Sequence, residues 1–294
     1  MAGLSFLERL KAGEILVADG ATGTNLQARG LPTGTPTEAW LFDRPDEVVR
    51  LEREFVQAGA DIILTNTFGG TAVKLQGHGW GERMAEVNRR AVELARQAVG
   101  DADVFVAGSI GPTGQLLKPM GSMEPEEAEA QFAAQARVLA EAGVDFLVIE
   151  TQFDLGEATA AVKGVRSVCS LPLVVSFSYD RGTRTMMGVR PQKMAQEMSA
   201  LDVDVLGINC GRSLDDNLSA LQELAASARL PIWFKPNAGL PKLDEENRPI
   251  YDVTPEMMGA YTNTWIAEGA RIVGGCCGTT PQHLQAIATV VKNR

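Results

Sequence analysis

The sequence predicts a single (β/α)8 barrel domain spanning residues 1–294, and three observations carry the prediction. Eight short apolar runs alternate with helical stretches. Three of those stretches end in a glycine directly before a run. No Pro/Gly/Ser-rich linker, low-complexity tract or long charge run divides the chain. A doubly wound open sheet is the structural rival, and eight repeats of one βα unit favour the closed barrel.

The runs are Ile15–Ala18, Ile62–Thr65, Val104–Ala107, Phe146–Ile149, Leu173–Phe177, Val205–Ile208, Ile232–Phe234 and Ile272–Val273. They lack polar alternation, as strands covered on both faces do. Between them Pro45–Gly59, Arg83–Val99, Pro125–Gly143 and Asp215–Ala228 show helical periodicity. Gly59, Gly143 and Gly269 stand where a helix C-terminal glycine leads into the next strand.

Hydrophobic residues make up 45% of the chain and charged residues 22%, which suits a sizeable buried core and argues against disorder. A net charge of −10 without clustered Lys or Arg excludes nucleic acid and anionic membrane surfaces as partners. Charges interrupt the start, MAGLSFLERLKAGE, too often for a signal peptide, and no run reaches a membrane span. A cytoplasmic protein is expected. In a reducing compartment Cys169, Cys210, Cys276 and Cys277 are candidates for metal binding or catalysis rather than structural disulfides.

Each predicted strand ends in reactive or Gly-rich residues: Asp19 to Thr24, Thr65 to Phe68, Ser109 to Pro112, Glu150-Thr151, Ser176 to Ser178, Asn209-Cys210-Gly211, Lys235 to Gly239, and Gly274 to Gly278. A closed barrel gathers these at its C-terminal mouth, where barrel active sites lie. Cys210 ends the sixth strand and Cys276-Cys277 follow the eighth, so three thiols can meet. Neighbouring residues of a strand point to opposite faces, and both Cys276 and Cys277 reach one ion only if the backbone turns sharply. Gly274, Gly275 and Gly278 allow that turn.

Three sulfur ligands select zinc, with Zn–S near ~2.3 Å, and a site with three protein ligands keeps its fourth position open for substrate. His78 and His283 are placed away from the strand ends, and Cys169 is read as a small packing residue. Zinc held by three thiolates is a poor activator of water. It is suited to lowering the pKa of a bound thiol from roughly 8.5 while leaving its sulfur able to attack. Alkyl transfer to a thiol is the expected chemistry. Gly111-Pro112-Thr113-Gly114 lacks the Gly-Lys-Ser/Thr ending of a phosphate loop and is rejected as one.

The segments Asp19-Gly20-Ala21-Thr22-Gly23-Thr24, Gly207-Ile208-Asn209-Cys210-Gly211, Lys235-Pro236-Asn237-Ala238-Gly239-Leu240-Pro241 and Gly274-Gly275-Cys276-Cys277-Gly278-Thr279-Thr280-Pro281 resemble the homocysteine S-methyltransferase family over nearly the whole chain. The resemblance implies a (β/α)8 barrel, a zinc site of Cys210, Cys276 and Cys277, and methyl transfer to homocysteine giving methionine. The motifs are more similar to the homocysteine-binding barrel of cobalamin-dependent methionine synthase than to the betaine-dependent enzyme. That synthase continues into folate, cobalamin and reactivation modules, for which nothing follows Arg294. Methylcobalamin on a partner corrinoid protein is therefore the favoured donor. S-methylmethionine or S-adenosylmethionine is the alternative, and a homocysteine-binding subunit without turnover is the rival.

By the same resemblance Asp19 and Glu150 match positions that hold the substrate ammonium. The backbone N–H groups of Gly20, Ala21, Thr22, Gly23 and Thr24 would receive the carboxylate, as a Gly-rich turn can. Asn237 matches a position that can occupy zinc's fourth site before the thiol arrives. Thr65, Asn66 and Thr67 either face the substrate or bond the rim. Met186 and Met187 are read as loop packing. Phe68, Phe153, Phe177 and Tyr179 are aromatic faces within reach of a cationic donor.

Overall fold

The runs without alternation form strands whose two faces serve two different cores. In the computed structural model, which describes residues 3–243 and 249–294, these strands are β1 (Leu16–Val17), β2 (Ile62–Leu64), β3 (Phe105–Ile110), β4 (Phe146–Gln152), β5 (Leu173–Phe177), β6 (Val205–Cys210) and β7 (Ile232–Pro236). A short antiparallel hairpin, β8 (Lys242–Leu243) and β9 (Pro249–Ile250), precedes the last barrel strand, β10 (Ala270–Val273). The parallel order is β1-β10-β7-β6-β5-β4-β3-β2. A parallel bridge from Ala18 to Ile62, with Asp19 N–H donating to the Ile62 carbonyl at 3.0 Å, closes the ring. The predicted barrel is the observed one.

Inside the ring, Leu16, Ala18, Ile62, Ala107, Phe146, Val148, Val174, Val205, Trp233 and Ile272 share one apolar cluster. Their strand neighbours, among them Val17, Ile63, Val106, Leu147, Val175, Leu206 and Phe234, belong to a second cluster against the helices. Both faces are buried, so the sequence shows no polar alternation.

The N-terminal segment is part of the barrel's packing. Helix Phe6–Lys11, opened by a capping box between Ser5 and Glu8, places Phe6 and Leu10 in the inner cluster. Phe6 stacks on Phe146 with ring centroids 4.0 Å apart, and Phe146 begins β4, so the helix plugs the N-terminal end of the barrel. Phe6→Ala would leave a cavity there, and a loss of about 3–5 kcal/mol is expected in urea unfolding. An unchanged midpoint would show that the plug is dispensable.

Strands β3, β4, β6 and β7 run two or three residues past the predicted ends. Their ladders continue through polar mouth residues because pairing is made by backbone, whereas the prediction followed side-chain hydrophobicity. Gly59, Gly143 and Gly269 take positive φ, as their place after a helix requires. Among the described residues no helix is long and apolar enough to cross a membrane.

Candidate active site

Above the apolar filling, the next inward position of five strands is polar: Ser109 on β3, Glu150 on β4, Ser176 on β5, Asn209 on β6 and Lys235 on β7. Each is buried and stands two residues beyond an inward Ala107, Val148, Val174, Gly207 or Trp233. Asp19 follows the bridge residue Ala18. A cavity of about 370 Å³ opens on this layer and is lined by Asp19 to Thr24, Glu150, Cys210, Cys276 and Cys277, with Thr65, Asn66, Phe68, Ser109 and Lys235 completing much of its wall.

The cysteines meet as their spacing predicts. Their Sγ atoms all lie within 4.8 Å of one another, and those of Cys210 and Cys276 are 3.0 Å apart. A zinc ion ~2.3 Å from each sulfur of a tetrahedral site separates the sulfurs by about 3.8 Å, so the cluster has the size and softness for it. Cys276 and Cys277 share the site because Thr279 N–H returns to the Cys276 carbonyl at 3.1 Å, closing a turn with Gly278 at φ 80°. Gly274 has a different task. A Cβ there would stand 2.5 Å from the Ala18 carbonyl oxygen, where backbone cannot yield. Gly274→Ala is expected to lower stability by about 1–3 kcal/mol, measured by thermal melting. No change in melting would mean that β1 and the cysteine loop are free to separate.

Without a cation the three thiols do not all ionise. Hydrogen bonds with Cys276 and Cys277 push Cys210 well above the ordinary thiol range. The bond with Cys210 pulls Cys276 down, but the bond with Cys277 and burial outweigh it and push it up to about 12. Bonds from Cys210 and Cys276 lower Cys277 to about 4. Three thiolates at this spacing need a divalent cation to coexist.

The carboxylates stand in unlike surroundings. Asp19 accepts Leu64 N–H on Oδ2 at 2.8 Å and Lys235 Nζ on Oδ1 at 2.5 Å, with both side chains almost wholly buried. Burial works to lower the Lys235 pKa, but Asp19 and Glu150 outweigh it and keep the ammonium charged. Glu150 accepts Ser109 Oγ on Oε1 at 2.6 Å. Burial, only partly offset by Lys235, raises Glu150 to about 7. Lys235 and its Asp19 partner are the main feature that sequence reasoning passed over. The available signal was a lysine one step in phase beyond an inward Trp233.

Other expectations separate in the structure. The N–H of Ala21 is already bonded to the Thr279 carbonyl at 3.2 Å and hydroxyl at 3.1 Å. The remaining donors for an anion belong to Gly20 and the first turn of helix Thr22–Ala28. Asn237 lies behind the cavity wall, donating Nδ2 to the Gly211 carbonyl at 2.7 Å, and its buried Oδ1 has no partner among the described residues.

Thr65 and Thr67 bond the rim to each other and to Ser109, while Asn66 reaches the Thr37 carbonyl. Phe177 and Tyr179 are fully buried in the outer cluster, which leaves Phe68 as the aromatic face on the cavity wall. Met186 is exposed. Cys169 packs against the outer cluster, and His283 caps the helix Pro281–Lys292 with Thr280 and reaches the Val253 carbonyl. In the rejected phosphate loop Thr113 N–H and Oγ both donate to Glu157, and a carboxylate in that place repels an anion.

A family model described as Homocysteine S-methyltransferase matches residues 16–291. The chain is 30% identical over 296 residues to methionine synthase of Mycobacterium tuberculosis, an alignment covering 95% of this chain and 25% of that protein. It thus spans about a quarter of the length of the curated relatives it matches. The metallated form of the Escherichia coli homocysteine methyltransferase MmuM superposes with a TM-score of 0.81 at 26% identity, over 95% of this chain and 97% of that one. The 3-dehydroquinate dehydratase of Geobacillus kaustophilus, at 13% identity and a TM-score of 0.53 over 95% of this chain and 92% of its own, shares the fold alone. From its sequence match and its three-cysteine barrel mouth together, the chain belongs to the homocysteine S-methyltransferase family.

Proposed function

We propose that the chain transfers a methyl group to the thiol of homocysteine, giving methionine, with Cys210, Cys276 and Cys277 holding zinc. The observation that carries this reading is three sulfurs within 4.8 Å of one another on the wall of a cavity that Glu150, with one carboxylate oxygen to offer, also lines. When bound, zinc supplies a positive centre that lowers the pKa of the substrate thiol while three thiolates keep its sulfur nucleophilic.

The protein's own groups hold the rest of the amino acid. Glu150 directs its second oxygen at the ammonium, and Asp19, held by Lys235, adds negative charge beside it. The unbonded N–H groups at the start of helix Thr22–Ala28 face the carboxylate. The thiol proton leaves to solvent as the thiol binds. The substrate sulfur then forms a bond to the incoming methyl carbon, and the donor keeps the electron pair of the bond that breaks. Orientation within the cavity supplies much of the acceleration.

Methylcobalamin on a partner corrinoid protein is the donor we favour. Exposed Phe68, Leu116, Met120 and Met186, in loops that follow barrel strands, and Leu243 and Ile250, on the hairpin that follows β7, surround the mouth with apolar surface that another protein would cover. A small sulfonium, S-methylmethionine or S-adenosylmethionine, is the second reading, supported by Phe68 on the cavity wall. Such chemistry belongs in the cytoplasm.

Purified chain is expected to contain one zinc, bind homocysteine and form methionine from methylcobalamin faster than from either sulfonium. The opposite order would favour the small donor. Zinc and homocysteine binding without turnover on any of them would make the chain a binding subunit. A metal-free chain that ignores homocysteine would refute the reading.

A further inference from the structure

Two non-glycine residues among those described hold positive φ, Thr151 at 59° and Cys210 at 60°. A side chain is disfavoured in that region, and neither residue is an Asn, Asp or His that tolerates it. Both stand at the barrel mouth. Thr151 follows Glu150, whose carboxylate faces the cavity, and Cys210 belongs to the thiol cluster.

One buried side chain holds the two together. Asn209 Oδ1 accepts Thr151 N–H at 2.9 Å and Ser176 Oγ at 2.7 Å. Its Nδ2 donates to Thr151 Oγ1 at 2.7 Å and lies 3.7 Å from Cys210 Sγ and 3.8 Å from Cys276 Sγ. The orientation of the amide follows from its partners, because the Thr151 N–H can only donate and so must meet the oxygen. The nitrogen is thereby turned to the sulfurs. Asn209 is fully buried, so solvent does not loosen these bonds.

We propose that Asn209 is a positioning residue that sets the separation between the Glu150 carboxylate and the thiol cluster, and so selects the length of the aminothiol that spans them. This rests on the reading of the cavity as a homocysteine site. An aminothiol held at both ends must match the span between its two anchors. Homocysteine carries one methylene more than cysteine between thiol and ammonium-bearing carbon. A span fixed through Thr151, Asn209 and Cys210 accepts one of them and strains the other. If the ends of β4 and β6 could shift independently, the shorter ligand would be accommodated by a small backbone movement.

The test uses the zinc-loaded full chain, with homocysteine and cysteine as calorimetric ligands and zinc content as a separate readout. Wild type is expected to prefer homocysteine by the ~10- to 200-fold that one methylene commands. Asn209→Ala and Thr151→Val should each reduce that preference by at least about tenfold with zinc still bound. Thr151→Ser, which keeps the hydroxyl, should preserve it.

A preference unchanged in zinc-loaded Asn209→Ala or Thr151→Val overturns the proposal. Should Asn209→Ala lose its metal, Thr151→Val decides, since it removes the bond from Nδ2 to Thr151 Oγ1 but keeps the Asn209 amide beside both sulfurs. Wild type that binds no homocysteine would refute the site itself, and the length selection with it. Wild type that discriminates, beside variants that discriminate equally, would refute the length selection alone.

Discussion

Cys276→Ala is expected to give a folded barrel that no longer retains zinc or binds homocysteine. The side chain is one of three soft ligands, whereas its backbone does separate work. Its N–H donates to the Pro236 carbonyl at 2.9 Å, and its carbonyl accepts both Thr279 N–H and Thr279 Oγ1. Those bonds survive the substitution, so the loop keeps its course while the donor set falls to two. The loss of zinc affinity should exceed the ~10- to 100-fold that removal of an outer-shell partner costs. Metal analysis and a zinc titration measure it, with circular dichroism as the control for folding. Stoichiometric zinc, or methionine formation at the wild-type rate, would mean that the cysteines are incidental to the barrel.

Lys235→Met is expected to be the most destabilising single change at the mouth. It removes the cation that meets Asp19 at 2.5 Å and opposes the burial of Glu150. Breaking a buried pair by deleting one partner costs about 3–5 kcal/mol, because the charge left behind has neither water nor a counterion.

The loss should depend on pH. Glu150 titrates near 7 in the folded chain against an ordinary 4.5, so the folded state holds its proton more tightly, and stability declines as pH rises through that interval. Without Lys235 both carboxylates move further up and the decline extends to higher pH. Urea unfolding should therefore show the smallest gap between variant and wild type at about pH 5 and the largest at about pH 8. A gap independent of pH would show that the lysine contributes through packing over Trp233, from whose ring centroid its Nζ lies 5.5 Å away.

The two variants mark different degrees of legibility in the sequence. Cys276 was legible because a Gly-flanked cysteine pair is a chemical signal that needs no neighbour to be noticed, and strand counting then put Cys210 beside it. Lys235 was legible only as one residue of a strand-end cluster. Its role depends on Asp19, 216 positions away, and their pairing follows from the closure of β1 on β10 and β7. Asn209 is similar: its identity is plain, but its bonds to Thr151, Ser176 and two sulfurs draw on four different segments. Phe177 and Tyr179 failed in the opposite sense. They stand close in sequence to the mouth, yet period-two alternation turns Phe177 outward into the helix layer.

By itself the sequence determined the barrel, the three-thiol cluster and the family, because each rests on a local and repeated signal: apolar runs at strand length, glycines after helices, soft ligands between glycines. The tertiary structure alone decided which carboxylate oxygen is still open, that a buried lysine holds Asp19, and that an N-terminal helix closes the far end. Those are properties of pairs. A pair separated by tens or hundreds of residues acquires its distance, and hence its electrostatic strength, only when the sheet closes.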